Sequence, residues 1–358
     1  MKKIAIVADW IIGGGAERVV EQLHAMYPDA PIYASYCSDE WRAKLDNKVV
    51  TGYLQKWPFN KLRKFVGPLR IWWYKYLDLS EYDVVISCTG NGEAKFIRTI
   101  EETKHICYCF TPTHYYWRHY QTYINNPGFG FFNPLARLGL KVLVYPLRKL
   151  DYAAAQNPNA FIAISNHIKD DIKKFYNRDS EIIHPPVDTK RFKDLQNIKR
   201  SGFITVGRQT PYKNTDLIIQ ACNELNVPLT VVGTGPEHEK LTNIANDNIK
   251  FMPSVNDVAL PELLDEAKGF IFASEEDFGI APVEAMATGL PVIAFRAGGA
   301  LDYVNEQTGI FFDEQTTESL KLAIKSFNNK KFNSNEIMKS ADKFSVDNFK
   351  NKINKLLQ

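Results

Sequence analysis

Short apolar runs alternate with stretches of helical spacing along most of the chain. The runs are Ile4 to Ala8, Pro31 to Tyr36, Val84 to Cys88, His105 to Cys109, Phe161 to Ile164, Phe203 to Val206, Leu229 to Val232, Gly269 to Phe272 and Pro291 to Phe295. They are too short for buried helices and apolar on both faces, as a strand reads when helices cover both sides of its sheet. Between them, residues such as Val19, Val20 and Leu23 return with helical spacing. This alternation predicts parallel βα units and an α/β fold.

The pattern lapses at His184-Pro185-Pro186-Val187-Asp188, where paired prolines impose extended backbone, and stays polar to Lys199-Arg200-Ser201-Gly202. It begins afresh at Phe203. Two Rossmann-like, doubly wound domains are therefore predicted, over 1–184 and 202–335, with 185–201 as linker and hinge. Apolar Phe344, Phe349, Ile353, Leu356 and Leu357 predict a closing helix over 336–358 that packs back on the first domain. Doubly wound sheets bind ligands at the carboxyl ends of their strands, so the site is expected in a cleft where two such ends face each other. A length of 358 residues suits two ordinary α/β domains.

Composition narrows the classes. Forty-four Lys and Arg against 41 Asp and Glu leave a net charge of +3, which gives no reason to expect a nucleic-acid partner. The five cysteines are scattered without zinc or redox spacing and read as buried thiols of a reducing cytosol. Met1-Lys2-Lys3 runs directly into the first strand, so export is not expected. The longest apolar stretch, Phe129 to Leu147, is interrupted by Arg137 and Lys141 and broken by Pro134 and Pro146, so no membrane span is predicted.

Candidate chemistry clusters after the strands. The first runs into Gly13-Gly14-Gly15-Ala16-Glu17-Arg18, a turn whose amides are placed to hold an anion at a helix start. A dinucleotide fingerprint would need glycine where Arg18 stands and an acidic residue where Cys37-Ser38 end the second strand, which weakens an NAD-linked oxidoreductase reading. In the second half Val206-Gly207-Arg208 ends a strand and Lys213 follows, so two cations converge where a diphosphate would fit. Val232-Gly233-Thr234-Gly235-Pro236 lets the backbone approach a ligand closely. Glu276 and Glu284 flank Phe278-Gly279-Ile280-Ala281, a loop entering a helix whose first amides can bind phosphate. Glu276 would stand beside a reacting sugar and Glu284 accept hydrogen bonds from a ribose diol.

Taken in order over almost the whole chain, these motifs resemble the family 4 retaining glycosyltransferases of GT-B fold. The Glu-x7-Glu element matches Glu276 and Glu284, the paired cations Arg208 and Lys213, and the Gly-x-Gly-Pro element Gly233 to Pro236. Further similarity lies in Ser165 opening a helix, Ile183 to Asp188, and Gly289 to Ala294. Phe110-Thr111-Pro112 through Trp117, with Asp151 to Ala155 later, resembles mannosyltransferases of bacterial surface polysaccharide assembly. The resemblance implies transfer of a hexose, mannose from GDP-mannose being favoured, to a saccharide or lipid-linked saccharide. It implies Arg208, Lys213, Glu276 and His114 as catalytic residues. Gly14, Gly15, Gly207, Gly233, Gly235, Phe278, Gly279, Ile280, Ala281 and Glu284 would hold the donor, and Glu17 and Thr111 would face the acceptor. Relatives often carry histidine before Thr-Pro where this chain has Phe110, so the role passes to His114. No Asp-x-Asp pair occurs, and neither metal nor other cofactor is expected.

A lipid-linked acceptor would bring a cytoplasmic protein to the inner face of a membrane. The stretch from Lys56 to Tyr76 mixes cations with large aromatics and is the expected dock, aided by Phe129 to Phe132; the alternative is that Trp72, Trp73 and Tyr76 pack the core. A non-catalytic sugar-nucleotide or lipid-headgroup binding module stands as the rival from another class. A glycosidase would leave the diphosphate-binding cations without purpose.

Overall fold

The computed structural model describes residues 2–62, 66–125, 127–128, 130–192, 200–255 and 258–358. The chain divides into two compact units, Met1–Pro185 and Pro186–Gln358.

Among the described residues the first unit is built on a seven-stranded parallel sheet of β1 (Ile4–Ala8), β2 (Ile32–Ala34), β3 (Val49–Val50), β4 (Val84–Thr89), β5 (Lys104–Cys109), β6 (Ala160–Ala163) and β7 (Glu181–Ile182), in the order 3-2-1-4-5-6-7. Ile6 lies level with Ile32 on one side and Ile86 on the other. Helix Gly15–Met26 buries Val19, Val20 and Leu23, the residues whose spacing predicted it. Ser165 caps helix Asn166–Tyr176, its Oγ accepting from the Ile168 amide at 3.2 Å.

The second unit carries β8 (Phe203–Val206), β9 (Leu229–Val232), β10 (Ile249–Met252), β11 (Gly269–Phe272), β12 (Val292–Phe295) and β13 (Gly309–Phe312), all parallel in the order 10-9-8-11-12-13. Both orders reverse beside the first strand of their unit, between β1 and β4 and between β8 and β11. There the neighbouring loops part and leave a crevice.

All nine apolar runs correspond to strands. The four strands without a run, β3, β7, β10 and β13, are the outer strands of the two sheets. An outer strand has one neighbour and partial cover, so its residues are mixed: β10 reads Ile-Lys-Phe-Met and none of them is fully buried.

Three expectations are corrected. Pro146 does not break its segment: helix Asn133–Ala154 runs through it, and the carbonyl the proline ring leaves without an N–H belongs to the exposed Val142. The linker residues from Pro186 to Phe192 are part of the second unit, where Val187 pairs with Ser345 and Arg191 with Glu284. The rest of that stretch, 193–199, lies outside the described residues. The tail is two helices, Ser334–Ala341 and Val346–Leu357, and belongs to the second unit, its Phe344 ring 5.6 Å from that of Phe278.

Candidate active site

At the switch point of the second unit, β8 delivers Arg208 and the turn after it Lys213, into a pocket also lined by Gly207, Thr215 and Ser274. Arg208 is exposed, and among the described residues no carboxylate pairs with it. Lys213 is ion-paired with Glu276, whose Oε1 also accepts from Ser274 Oγ at 2.8 Å. The two charges sit partly open to solvent, so an arriving diphosphate can compete for Lys213 and leave Glu276 free to accept from hydroxyls.

Glycine is required around this pocket by contact as well as by conformation. Gly233 has φ +125°, and a Cβ on it would lie 2.1 Å from the Gly207 carbonyl oxygen. A Cβ on Gly235 would lie 2.2 Å from the Gln209 carbonyl oxygen. Gln209, buried, ties the two loops together: its Nε2 donates to the Gly233 carbonyl at 2.8 Å and its Oε1 meets His238 Nδ1 at 2.8 Å. Nothing in the residue pattern singled out Gln209 or His238, because their partners are distant in sequence.

Gly279, at φ +84°, precedes helix Ile280–Ala287, whose first residues Ile280 and Ala281 are half-buried. The Phe278 side chain is turned inward against Tyr303 and Phe344, so only its main chain is left to face a donor. Tyr303 locks the turn by donating to the Phe278 carbonyl at 3.0 Å. Glu284 is buried in the helix and held by Arg191 at 3.0 Å, a partner the sequence reading did not foresee.

The switch point of the first unit holds a second pocket, lined by Asp9, Gly13, Gly14, Gly15, Glu17, Asn91 and Phe110 among others. Here the residues expected to hold an anion are Gly14 and Gly15, at the helix start. Glu17 Oε1 accepts from the amides of Ile12 (3.1 Å) and Gly13 (3.0 Å), so that part of the glycine-rich turn already has its anion. Asp9 does the same for the loop after β4, accepting from Gly90 (2.8 Å), Asn91 (2.7 Å), Gly92 (3.3 Å) and Ala94 (2.6 Å). Gly14 and Gly15 remain exposed. Asp9 was not among the expected residues; its place at the end of the first strand was the available signal.

Phe110 lines this pocket. His114 lies next to it in the fold, hydrogen-bonded to the Gly90 main chain; burial, with His119 nearby, pushes its pKa down to about 4, so it is neutral near pH 7. Thr111 is buried, its Oγ1 only 3.3 Å from the Pro112 carbonyl. Behind it Asp151 forms a buried ion pair with Lys95 (2.6 Å) and accepts from Trp117, Thr113 and Tyr176, which fixes the 111–117 segment against its helix.

Within the stretch 56–76, Trp57, Trp72 and Tyr76 are exposed, while Tyr74 is buried and Arg70 forms a buried pair with Glu93 at 2.8 Å. Trp73 packs against the core of the first unit. Arg63, Lys64 and Phe65, like Phe129, lie outside the described residues. No described helix is long and apolar enough to cross a membrane, and no group of three His, Cys, Asp or Glu side chains among the described residues is placed to hold a metal.

Residues 13–191 match the family model "Glycosyltransferase Family 4" and residues 186–357 the model "Glycosyl transferases group 1". The chain belongs to glycosyltransferase family 4. It is similar to the GDP-Man:Man(3)GlcNAc(2)-PP-Dol alpha-1,2-mannosyltransferase of Dictyostelium discoideum, at 29% identity over 54% of this chain and 45% of that one. It is also similar to the O-antigen chain mannosyltransferase RfbU of Salmonella typhimurium, at 30% identity over 47% of this chain and 53% of that one. The chain spans about half the length of these curated relatives or less. Among solved structures, HepE of Anabaena, crystallised with UDP-glucose, matches with a TM-score of 0.71 at 18% identity, covering 100% of this chain and 99% of that one. Sucrose-phosphate synthase of Thermosynechococcus elongatus matches at 0.69 and 14%, covering 100% of this chain and 98% of that one. The two parallel-sheet α/β units are those of the GT-B fold.

Proposed function

We propose that this glycosyltransferase family member is a retaining enzyme that moves a hexose, mannose from GDP-mannose being favoured, to a saccharide or lipid-linked saccharide acceptor without an essential metal. The observation that carries the reading is Arg208, exposed and unpaired with any described carboxylate, beside Lys213 at the carboxyl end of β8. The preference for mannose is supported by relatives named as mannosyltransferases.

In the proposed reaction the bond from the sugar's anomeric carbon to the diphosphate oxygen breaks, and the acceptor hydroxyl bonds to the same face. Its proton passes to the departing phosphate oxygen. Arg208, Lys213 and the amides of Ile280 and Ala281 stabilise the charge that develops on the diphosphate, which is the work a metal would otherwise do. Glu276 holds sugar hydroxyls and Glu284 the ribose. The first unit's pocket, with Glu17, Thr111 and neutral His114, receives the acceptor. The protein works in the cytoplasm and touches the inner face of the membrane peripherally through residues 56–76.

Purified protein, incubated with chelator and GDP-mannose, UDP-glucose or UDP-N-acetylglucosamine in turn, tests this by donor binding and nucleoside diphosphate release. GDP-mannose is expected to bind and turn over, with Arg208→Ala lowering turnover by about 10²–10³. Release that requires added divalent metal, or that survives Arg208→Ala undiminished, would overturn the mechanism; preference for a UDP-sugar would overturn the donor.

A further inference from the structure

A helix on the surface of a globular unit ordinarily turns its apolar stripe inward. Helix Asn133–Ala154 does the opposite over most of its length. Its buried side chains are Val144, Asp151 and Ala154. Leu135, Leu138, Val142 and Tyr145, spaced to form one stripe along the helix, are 68%, 60%, 64% and 66% exposed, and Phe131 just before it is 93% exposed. Isolated exposed apolar residues are commonplace, but a contiguous row marks a surface made to be covered.

The helix is held in this orientation from behind. Arg137 Nε donates to the Ile124 carbonyl at 2.8 Å and Arg148 Nε to the Tyr116 carbonyl at 2.7 Å, while Asp151 is fastened to Lys95. Turning the leucines inward would break all of these bonds.

The charges on the stripe identify the occupant. Lys141 and Lys149 are exposed, the latter with its Nζ 4.6 Å from the Tyr145 ring centroid. The one carboxylate between residues 130 and 154 is Asp151, buried and already neutralised. A second copy docked about a two-fold axis would set these lysines against their own equivalents with no acid to meet them. An anionic lipid surface supplies the phosphates for the lysines and the acyl boundary for the leucines, with tyrosine and phenylalanine at the level between.

We propose that the outward face of this helix, with Phe131 and Phe132, is where the chain binds an anionic lipid bilayer, lying in the interface without spanning it. The proposal deepens the peripheral membrane contact of the proposed function, adding a second surface to the 56–76 stretch, and does not depend on the donor or the reaction.

Co-sedimentation with phosphatidylcholine vesicles, with and without phosphatidylglycerol, tests it on the full chain. Wild-type protein is expected to bind the anionic vesicles preferentially and to weaken with added salt. Leu138→Ser/Val142→Ser should weaken binding at least about tenfold, and Lys141→Glu/Lys149→Glu by a similar factor, with the thermal transition unchanged since these side chains face water. A Trp57→Ser/Trp72→Ser variant provides the comparison. The proposal is overturned if wild type ignores the anionic vesicles, if the loss is confined to the tryptophan variant, or if the protein is a dimer that Leu138→Ser/Val142→Ser dissociates while vesicle binding is absent.

Discussion

At Gly233 one methyl group decides whether two loops can close on each other. A Cβ there meets the Gly207 carbonyl oxygen at 2.1 Å, in a backbone conformation at φ +125° that other residues avoid. Gly233→Ala is expected to destabilise the second unit by about 2–4 kcal/mol in chemical denaturation, and to weaken donor binding because Gly207 borders Arg208. Asp9 is the corresponding residue of the first unit. Asp9→Asn keeps the shape but turns an NH2 group toward amides that have only hydrogens to offer. A loss of about 2–3 kcal/mol is expected, read from the same denaturation curves. The glycine could be noticed in the sequence, as half of a repeated Gly-x-Gly. What Asp9 does could not, because four of the amides it accepts from lie more than 80 residues away.

Among elements, helix Ile280–Ala287 shows how local sequence and tertiary contact divide the work. Its proline, Pro282, falls in the first turn, where a missing N–H costs nothing, and Gly279 supplies the turn before it. Those features are readable residue by residue. The helix is nevertheless buried from Pro282 to Ala287, and Gly279 is confined by Phe272 and Tyr303, whose atoms would lie 2.8 and 2.9 Å from an added Cβ. Gly279→Ala is therefore expected to lower the melting temperature and, by shifting the first amides, to raise the donor concentration needed for half-saturation. A normal melting curve with unchanged donor affinity would contradict that. The strands divide in the same way. Central strands announce themselves by continuous apolar runs, whereas β3, β7, β10 and β13 owe their pairing to a single neighbour and carry too little pattern to be seen.

For the molecule as a whole, the buried ionisable groups of the first unit set a pH dependence. His105, enclosed with its Nε2 at 2.8 Å from Ser87 Oγ, is pushed by burial down to about 3 from 6.5, and His114 to about 4. Below the ordinary histidine value the unfolded chain takes up protons that the folded chain refuses, so stability falls as the pH falls. Glu93 works against this. Burial and nearby Asp9 push it up to about 7, despite the Arg70 guanidinium, so between 4.5 and that value the folded chain holds the extra proton and gains stability toward acid. Two rings outweigh one carboxyl. The melting temperature is expected to drop between about pH 6.5 and about pH 4, and to drop less in His105→Gln. By itself the sequence determined the α/β class, the two-unit division, the motif residues and their family, because hydrophobic period, glycine and proline positions and charge spacing act over short range. Only tertiary structure decided that Glu17 takes the amides of Ile12 and Gly13, that Glu284 is tied to Arg191, that the outer strands exist, and that the apolar face of helix Asn133–Ala154 points outward. Each of those depends on atoms that folding brings together or keeps apart, and no local pattern encodes their partners.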